Sequence, residues 1–262
     1  MPLVINPARR ALEAGQIAYG INVRFSRSVE IARIMAIAGY QWIFLDLEHN
    51  AMSLETVNQI SIAALDCGVS AIVRVPAGEY ALATRALDNG AVGVVMPGIE
   101  SAADARELVR RVRYQPLGER GVTSMVPFFD YQAKSIPELT KGLDAIGLTV
   151  AMIESPKGVE HCEGIAAVPG IDALFLGAAD LSYAMGPADP AHAEVRAALM
   201  RVVRAAAAHG KWCGFGGVRN GADMTELVAA GARMVLAGAD VNLLAQGAKA
   251  QIATLKKELG AG

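Results

Sequence analysis

No apolar run in this 262-residue sequence approaches the roughly 18 residues that a membrane-spanning helix needs, although 53% of the side chains are hydrophobic. That apolarity, with a mean hydropathy of +0.33, points to a buried core, extended where subunits meet. There is no lysine- or arginine-rich run, and the formal net charge is −2. The electrostatic footprint of a nucleic-acid binder is therefore missing, as is the polybasic patch that anionic membranes attract. Cysteine is scarce: Cys67, Cys162 and Cys213 are scattered and odd in number. They form neither a disulfide framework nor a metal-binding spacing, and they fit a reducing, cytoplasmic setting. The opening stretch Met1–Pro7 lacks the basic segment and long apolar core of a signal peptide.

What the sequence does hold is a rhythm of short apolar runs alternating with Ala-rich helical segments. Eight candidate strands stand out: Ile17–Val23, Trp42–Leu47, Ala71–Val75, Val92–Met96, Leu148–Ile153, Asp172–Leu176, Trp212–Phe215 and Arg233–Leu236. Most are continuous hydrophobic runs, as parallel strands covered by helices require. Between them, Ile31, Ile34, Met35 and Ala38 follow helical spacing up to Gly39, and Ser53 and Ser101 stand as N-caps. The pattern predicts an α/β fold, a single-domain (β/α)8 TIM barrel over residues 1–262, with a doubly wound open sheet as the alternative. The interval from Arg113 to Gly147 breaks the rhythm, with a helix over Pro137–Ile146 and an aromatic cluster of Phe128, Phe129 and Tyr131. It reads either as a segment closing over a substrate or as a packing or subunit-contact excursion.

Active sites of such barrels sit where strands end. The candidate strands end in Asp46-Leu47-Glu48-His49, Arg74-Val75-Pro76, Glu154-Ser155-Pro156 and Gly177-Ala178-Ala179-Asp180. Glu154 and Asp180 fall on adjacent strand ends, where two carboxylates need a shared proton or a cation. An oxygen-rich pair favours a hard divalent cation over structural zinc. The competing reading is that each caps a helix N-terminus. Arg74 can hold a carboxylate or 2-oxo group, or form a salt bridge with Asp46 or Glu48. Of the four histidines, His49 alone stands at a strand end and is the acid/base candidate. Gly177, Ala178 and Ala179 offer unobstructed backbone N–H groups to a carboxylate. No lysine ends a candidate strand in the site, which weighs against Schiff-base chemistry; Lys134, Lys141, Lys157 and Lys211 lie in loops or at a strand start.

Together these segments resemble the metal-dependent class II pyruvate aldolases, of the 4-hydroxy-2-oxoheptanedioate and 2-keto-3-deoxy sugar-acid aldolase type. The resemblance rests on Asp46-x-Glu48-His49, Arg74, Leu87-Asp88-x-Gly90-Ala91, Arg113-Tyr114-x-Pro116-x-Gly118-x-Arg120-Gly121, Glu154 and Gly177-x-Ala179-Asp180-Leu181-Ser182. It implies reversible cleavage of 4-hydroxy-2-oxo acids to pyruvate and an aldehyde through a metal-held enolate. A related carbon–carbon lyase, or an oxaloacetate-type decarboxylase using the same site, is the alternative. In this likeness Glu154 and Asp180 ligate Mg2+, Mn2+ or Co2+. Arg74 steadies the keto oxygen, His49 is the acid/base and Asp88 orients it, across a subunit boundary. Gly177, Ala178 and Ala179 bind the pyruvate carboxylate. It further implies a homo-hexamer in which the C-terminal helix, about 240–258, is exchanged between subunits. Three positions depart from the pattern: Met152 stands where many relatives have Gln, Leu47 for a usual Gly and Ala178 for a usual Pro. Arg24 and the Phe128–Tyr131 segment are the places where acceptor selection is expected.

Overall fold

The computed structural model describes residues 5–260, so the expected leaderless start at Met1 lies outside the described residues. Eight parallel strands close into one barrel in sequence order. They are β1 (Ala18–Val23), β2 (Trp42–Asp46), β3 (Ser70–Arg74), β4 (Gly93–Met96), β5 (Leu148–Ile153), β6 (Ala173–Gly177), β7 (Trp212–Gly216) and β8 (Met234–Ala239). All eight expected strands are present, and the open-sheet alternative is excluded by the pairing of β1 with β8. No described helix is long and apolar enough to cross a membrane.

The continuous apolar runs have a simple cause. Alternate residues of each strand serve two different cores. Trp42, Phe44, Ile72, Val150, Met152 and Phe175 fill the inside of the barrel, while Ile43, Leu45, Ala71, Val73, Ala151 and Ile153 meet the surrounding helices. Inside, the Phe44 and Phe175 rings stack at 6.2 Å and Trp42 meets Phe44 edge-on at the same separation. The short helix Pro7–Glu13 plugs the end where strands begin, burying Ala8, Ala11 and Leu12 against this inner core. Ser53, Ser101 and Ser155 each accept a backbone N–H of the helix they precede, as helix caps do.

The irregular interval packs at this closed end. Phe128 and Phe129 are buried with Val92, Tyr114, Leu139 and Leu143, beside the first residues of β4 and β5. Within one chain Phe128 and Phe129 are thus satellite core and do not line the chain's own barrel mouth, while Tyr131 is exposed.

The β1 exit is fixed by one carboxylate. Asp240, 7% exposed, accepts backbone N–H groups of Arg24, Phe25 and Ser26 at 2.8–3.1 Å. Burial alone would raise this carboxyl, yet the three N–H donors outweigh it and hold it below the ordinary value of 3.8. A depressed carboxyl stabilises the fold above its unfolded pKa, and that stabilisation is lost as pH falls through the folded value. Replacing Asp240 by Ala should cost about 1–3 kcal/mol at pH 7. Urea midpoints read the cost, and the gap to the unaltered chain should narrow on acidification below pH about 4.

Candidate active site

The inward alternation that fills the core continues to the strand ends and there turns polar. Along β2 the inward series is Trp42, Phe44, Asp46; along β3 it is Ile72 and Arg74; along β5 it is Val150, Met152 and then Glu154. Asp46 and Arg74 are direct register partners. Arg74 donates from Nε to Asp46 Oδ1 at 2.9 Å and from Nη2 to Asp46 Oδ2 at 2.6 Å, a two-pronged grip. Its Nη1 lies 3.2 Å from Glu48 Oε2 and 3.9 Å from Met152 Sδ. Asp46 is 1% exposed and also accepts the N–H groups of Glu48 and His49. Burial would raise its carboxyl, but Arg74 and those N–H groups hold it below the usual range.

The salt-bridge reading of Arg74 is thus realised, and it puts the guanidinium where the other candidates gather. Its charge is opposed by burial but favoured by Asp46, Glu48 and Glu154. Glu154 accepts no N–H of the helix that follows; Ser155 takes that role, and Glu154 Oε1 accepts the Gly98 N–H at 2.9 Å. Burial pushes Glu154 above the ordinary carboxylate range, and the charges of Asp180 and Glu48 add to it against Gly98 and Arg74. Glu48 is raised as well, by burial first and then by Asp46 and Asp180. Three carboxylates therefore feel one another across the mouth, and two of them, Glu48 and Glu154, also face the Arg74 guanidinium.

Two carboxylates under mutual repulsion, with oxygen donors and no thiolate, fit a hard divalent cation. Among the described residues no three His, Cys, Asp or Glu side chains form a cation-enclosing cluster. Glu154 and Asp180 would thus leave most of the coordination to water and substrate, as magnesium sites commonly do.

His49 stands on the rim, with its side chain 59% exposed and Nε2 3.8 Å from Glu48 Oε2. Gly177 ends β6, and Ala178 and Ala179 open the helix Ala178–Met185, whose start has no side-chain cap. Its first-turn N–H groups therefore have no side-chain acceptor. Asp88 is not brought to this group within one chain. It ends the helix Tyr80–Asp88, at the barrel's closed end, and pairs with Arg120 at 2.6 Å. The expected orientation of His49 by Asp88 is therefore not an interaction of one chain.

The sequence offers Asp46 and Glu48 only as alternative partners of Arg74; in the structure both face it. The inward alternation from Trp42 and Phe44 was the available signal for Asp46.

Gly177 is required by contact. A Cβ there would sit 2.8 Å from both Cβ and Oε2 of Glu154. Replacing Gly177 by Ala should displace the Glu154 carboxylate and, on the expectation that Glu154 ligates a divalent cation, lower that affinity by about 10–100-fold. Titration calorimetry with Mn2+ checks this, and an unaltered affinity would refute the contact.

The sequence model of the HpcH/HpaI aldolase/citrate lyase family matches residues 25–247. The chain belongs to the HpcH/HpaI aldolase/citrate lyase family. It is 36% identical to a hydroxypyruvate/pyruvate aldolase of Delftia acidovorans, over 96% of this chain and 93% of that one. It is 35% identical to a 4-hydroxy-4-methyl-2-oxoglutarate aldolase of Chaetomium globosum, over 90% and 89%. The solved HpcH/HpaI aldolase of Desulfitobacterium hafniense superposes with a TM-score of 0.88 at 34% identity, covering 95% of this chain and 96% of that one. With relatives that are named aldolases, the chain is a carbon–carbon lyase of the aldolase type, as the resemblance of the sequence implied.

Proposed function

We propose that the chain is a divalent-metal-dependent aldolase that reversibly cleaves 4-hydroxy-2-oxo acids to pyruvate and an aldehyde. The observation that carries this reading is the mutual proximity of Glu48, Glu154 and Asp180, two of which, Glu48 and Glu154, also face the anchored Arg74, beside an uncapped helix start. Glu154 and Asp180 would hold Mg2+, Mn2+ or Co2+, which supplies a Lewis acid to the 2-oxo acid. The N–H groups around Gly177, Ala178 and Ala179 bind the substrate carboxylate. Arg74 donates to the 2-oxo oxygen and stabilises the charge that develops there as the C3–C4 bond breaks. His49 takes the proton of the 4-hydroxyl in cleavage, and the aldehyde leaves. The pyruvate enolate is then protonated at C3. In synthesis the same steps reverse. Met152 offers Arg74 only a weak sulfur acceptor, so at Nη1 the substrate competes with the Glu48 carboxylate alone.

Asp88 enters this reading only from a second copy. The helix Asp240–Glu258 supports such an assembly: beyond Asp240 its residues are exposed, including Leu244, Ile252 and Leu255. We read this helix as the element exchanged between subunits of a hexamer, since an apolar face left in water favours burial against another chain. The three cysteines are free, which fits a cytoplasmic enzyme.

The test is pyruvate release from a panel of 4-hydroxy-2-oxo acids, with chelation, metal add-back and a borohydride arm. The reading expects release that stops on chelation, returns with Mg2+, Mn2+ or Co2+, and leaves no reduced adduct. Metal-independent release with a borohydride-trapped lysine would refute it.

A further inference from the structure

The carboxylate of Glu154 is held from two sides. Its Oε1 accepts the Gly98 N–H at 2.9 Å, and its Oε2 lies where a Cβ on Gly177 would come within 2.8 Å. Gly98 belongs to the loop that leaves β4 and Gly177 ends β6, so the two jaws stand on the strands either side of β5. With Oε1 taken by an N–H, Oε2 is the oxygen left for a cation shared with Asp180. Gly98 sits at φ +65°, on a segment outside any helix or strand. An N–H on such a segment keeps a fixed direction only if the segment itself is anchored.

The anchor is Glu100, two residues on. Its Oε1 accepts the Ser155 hydroxyl at 2.7 Å, and its Oε2 faces the Lys157 ammonium at 3.1 Å. Its carbonyl oxygen accepts His161 Nδ1–H at 2.8 Å, and the Ile99 carbonyl packs against Gly158, where a Cβ would lie 3.0 Å from it. The backbone bond from this loop to β5, Ile99 N–H to the Met152 carbonyl, is longer at 3.3 Å. Ser155 directly follows Glu154, so the contacts close a ring from Glu154 through Ser155, Glu100 and Gly98 back to Glu154. Ser155 and then Lys157 hold the Glu100 carboxyl below its ordinary value of 4.5, which keeps it an acceptor at neutral pH. Lys157 is 61% exposed and its ion pair is screened by water, which leaves the Ser155 hydrogen bond as the stronger tie.

We propose that Glu100 is a positioning residue for the reaction: through Ser155 and Gly98 it aims the free oxygen of Glu154 at the cation. Resting on the metal-dependent aldolase reading, this makes cation affinity depend on a carboxylate that is itself turned toward Ser155 and Lys157. Partners that orient a ligating carboxylate are commonly worth about 10–100-fold in metal affinity. Without Glu100 the loop keeps its backbone bond to Met152, but the Gly98 N–H loses its side-chain tether.

The experiment compares Glu100→Ala and Glu100→Gln with the unaltered full-length chain by Mn2+ titration calorimetry, urea midpoints, and the NMR position of the Gly98 amide proton in metal-free protein. An N–H bound to a carboxylate resonates downfield, so that signal reads the Gly98–Glu154 contact with no cation present. Glu100→Ala should weaken Mn2+ binding about 10–100-fold and move the Gly98 proton upfield, with little change in the urea midpoint. Glu100→Gln keeps an oxygen for the Ser155 hydroxyl and loses only the screened attraction to Lys157, so it should recover most of both readings. Unaltered Mn2+ affinity in Glu100→Ala overturns the assignment, as does a loss that Glu100→Gln shares in full or that only follows a fallen urea midpoint. An unaltered chain that binds no Mn2+ overturns the metal-dependent reading itself, and the assignment with it.

Discussion

Replacing Arg74 by Met should cost the protein about 3–5 kcal/mol of stability and about 10²–10³-fold in turnover, by two separable causes. The stability loss comes from Asp46. This carboxylate is 1% exposed, and Arg74 supplies its two side-chain donors. Without Arg74 the charge remains buried with only the N–H groups of Glu48 and His49. The turnover loss comes from the substrate side, where a fixed donor to the 2-oxo oxygen disappears. Adding Asp46→Asn to Arg74→Met removes the orphaned charge and should recover much of the stability, because a pair replaced together leaves no uncompensated ion. It should recover none of the turnover. Urea midpoints and steady-state kinetics on the two single variants and the double one separate the effects. Recovery of both together would mean that Arg74 is structural only.

Glu154→Gln should behave in the opposite sense on stability. Glu154 is held above the ordinary carboxylate range by burial and by the charges of Asp180 and Glu48. Removing one of three like charges relieves repulsion, and an amide oxygen can still accept the Gly98 N–H. The variant should therefore be at least as stable as the unaltered chain. Its activity should nevertheless fall about 10³-fold or more, because charge stabilisation by a cation is worth several kcal/mol and each 1.4 kcal/mol is about tenfold in rate. Calorimetry with Mn2+ and thermal melts on one sample provide both readings. A variant that loses stability in step with activity would place Glu154 in the scaffold instead.

The contrast between these two residues shows what the sequence could and could not carry. The strands were legible because residues buried on both faces read as unbroken apolar runs, and β5 coincides with its expected run Leu148–Ile153. The last strand extends past the expected Leu236 to Ala239, since Gly238, at φ +125°, interrupts the apolar signal without ending the pairing. Polar residues at strand ends were legible for the same reason as the strands. Asp46 was harder, because a carboxylate one position before a turn looks like any turn residue until its register partner Arg74 is known. Asp88 stands just before the expected strand Val92–Met96, so strand order already put it at the closed end, whereas Phe128–Tyr131 lies in an interval without strands and had no such marker. The helix Asp240–Glu258 reads as an ordinary outer helix, and its departure from the barrel depends on what covers it.

In the proposed function Glu154 and Asp180 jointly hold a cation which, with Arg74, makes loss of a proton from pyruvate C3 feasible. Proton–deuterium exchange of the pyruvate methyl group in D2O, followed by NMR without any acceptor, reads that step alone. Exchange should be catalysed with Mg2+ or Mn2+ present, stop on chelation, and be absent in Glu154→Gln and Asp180→Asn. Exchange that continues in a thoroughly chelated sample, or in either variant at the unaltered rate, would contradict the claim.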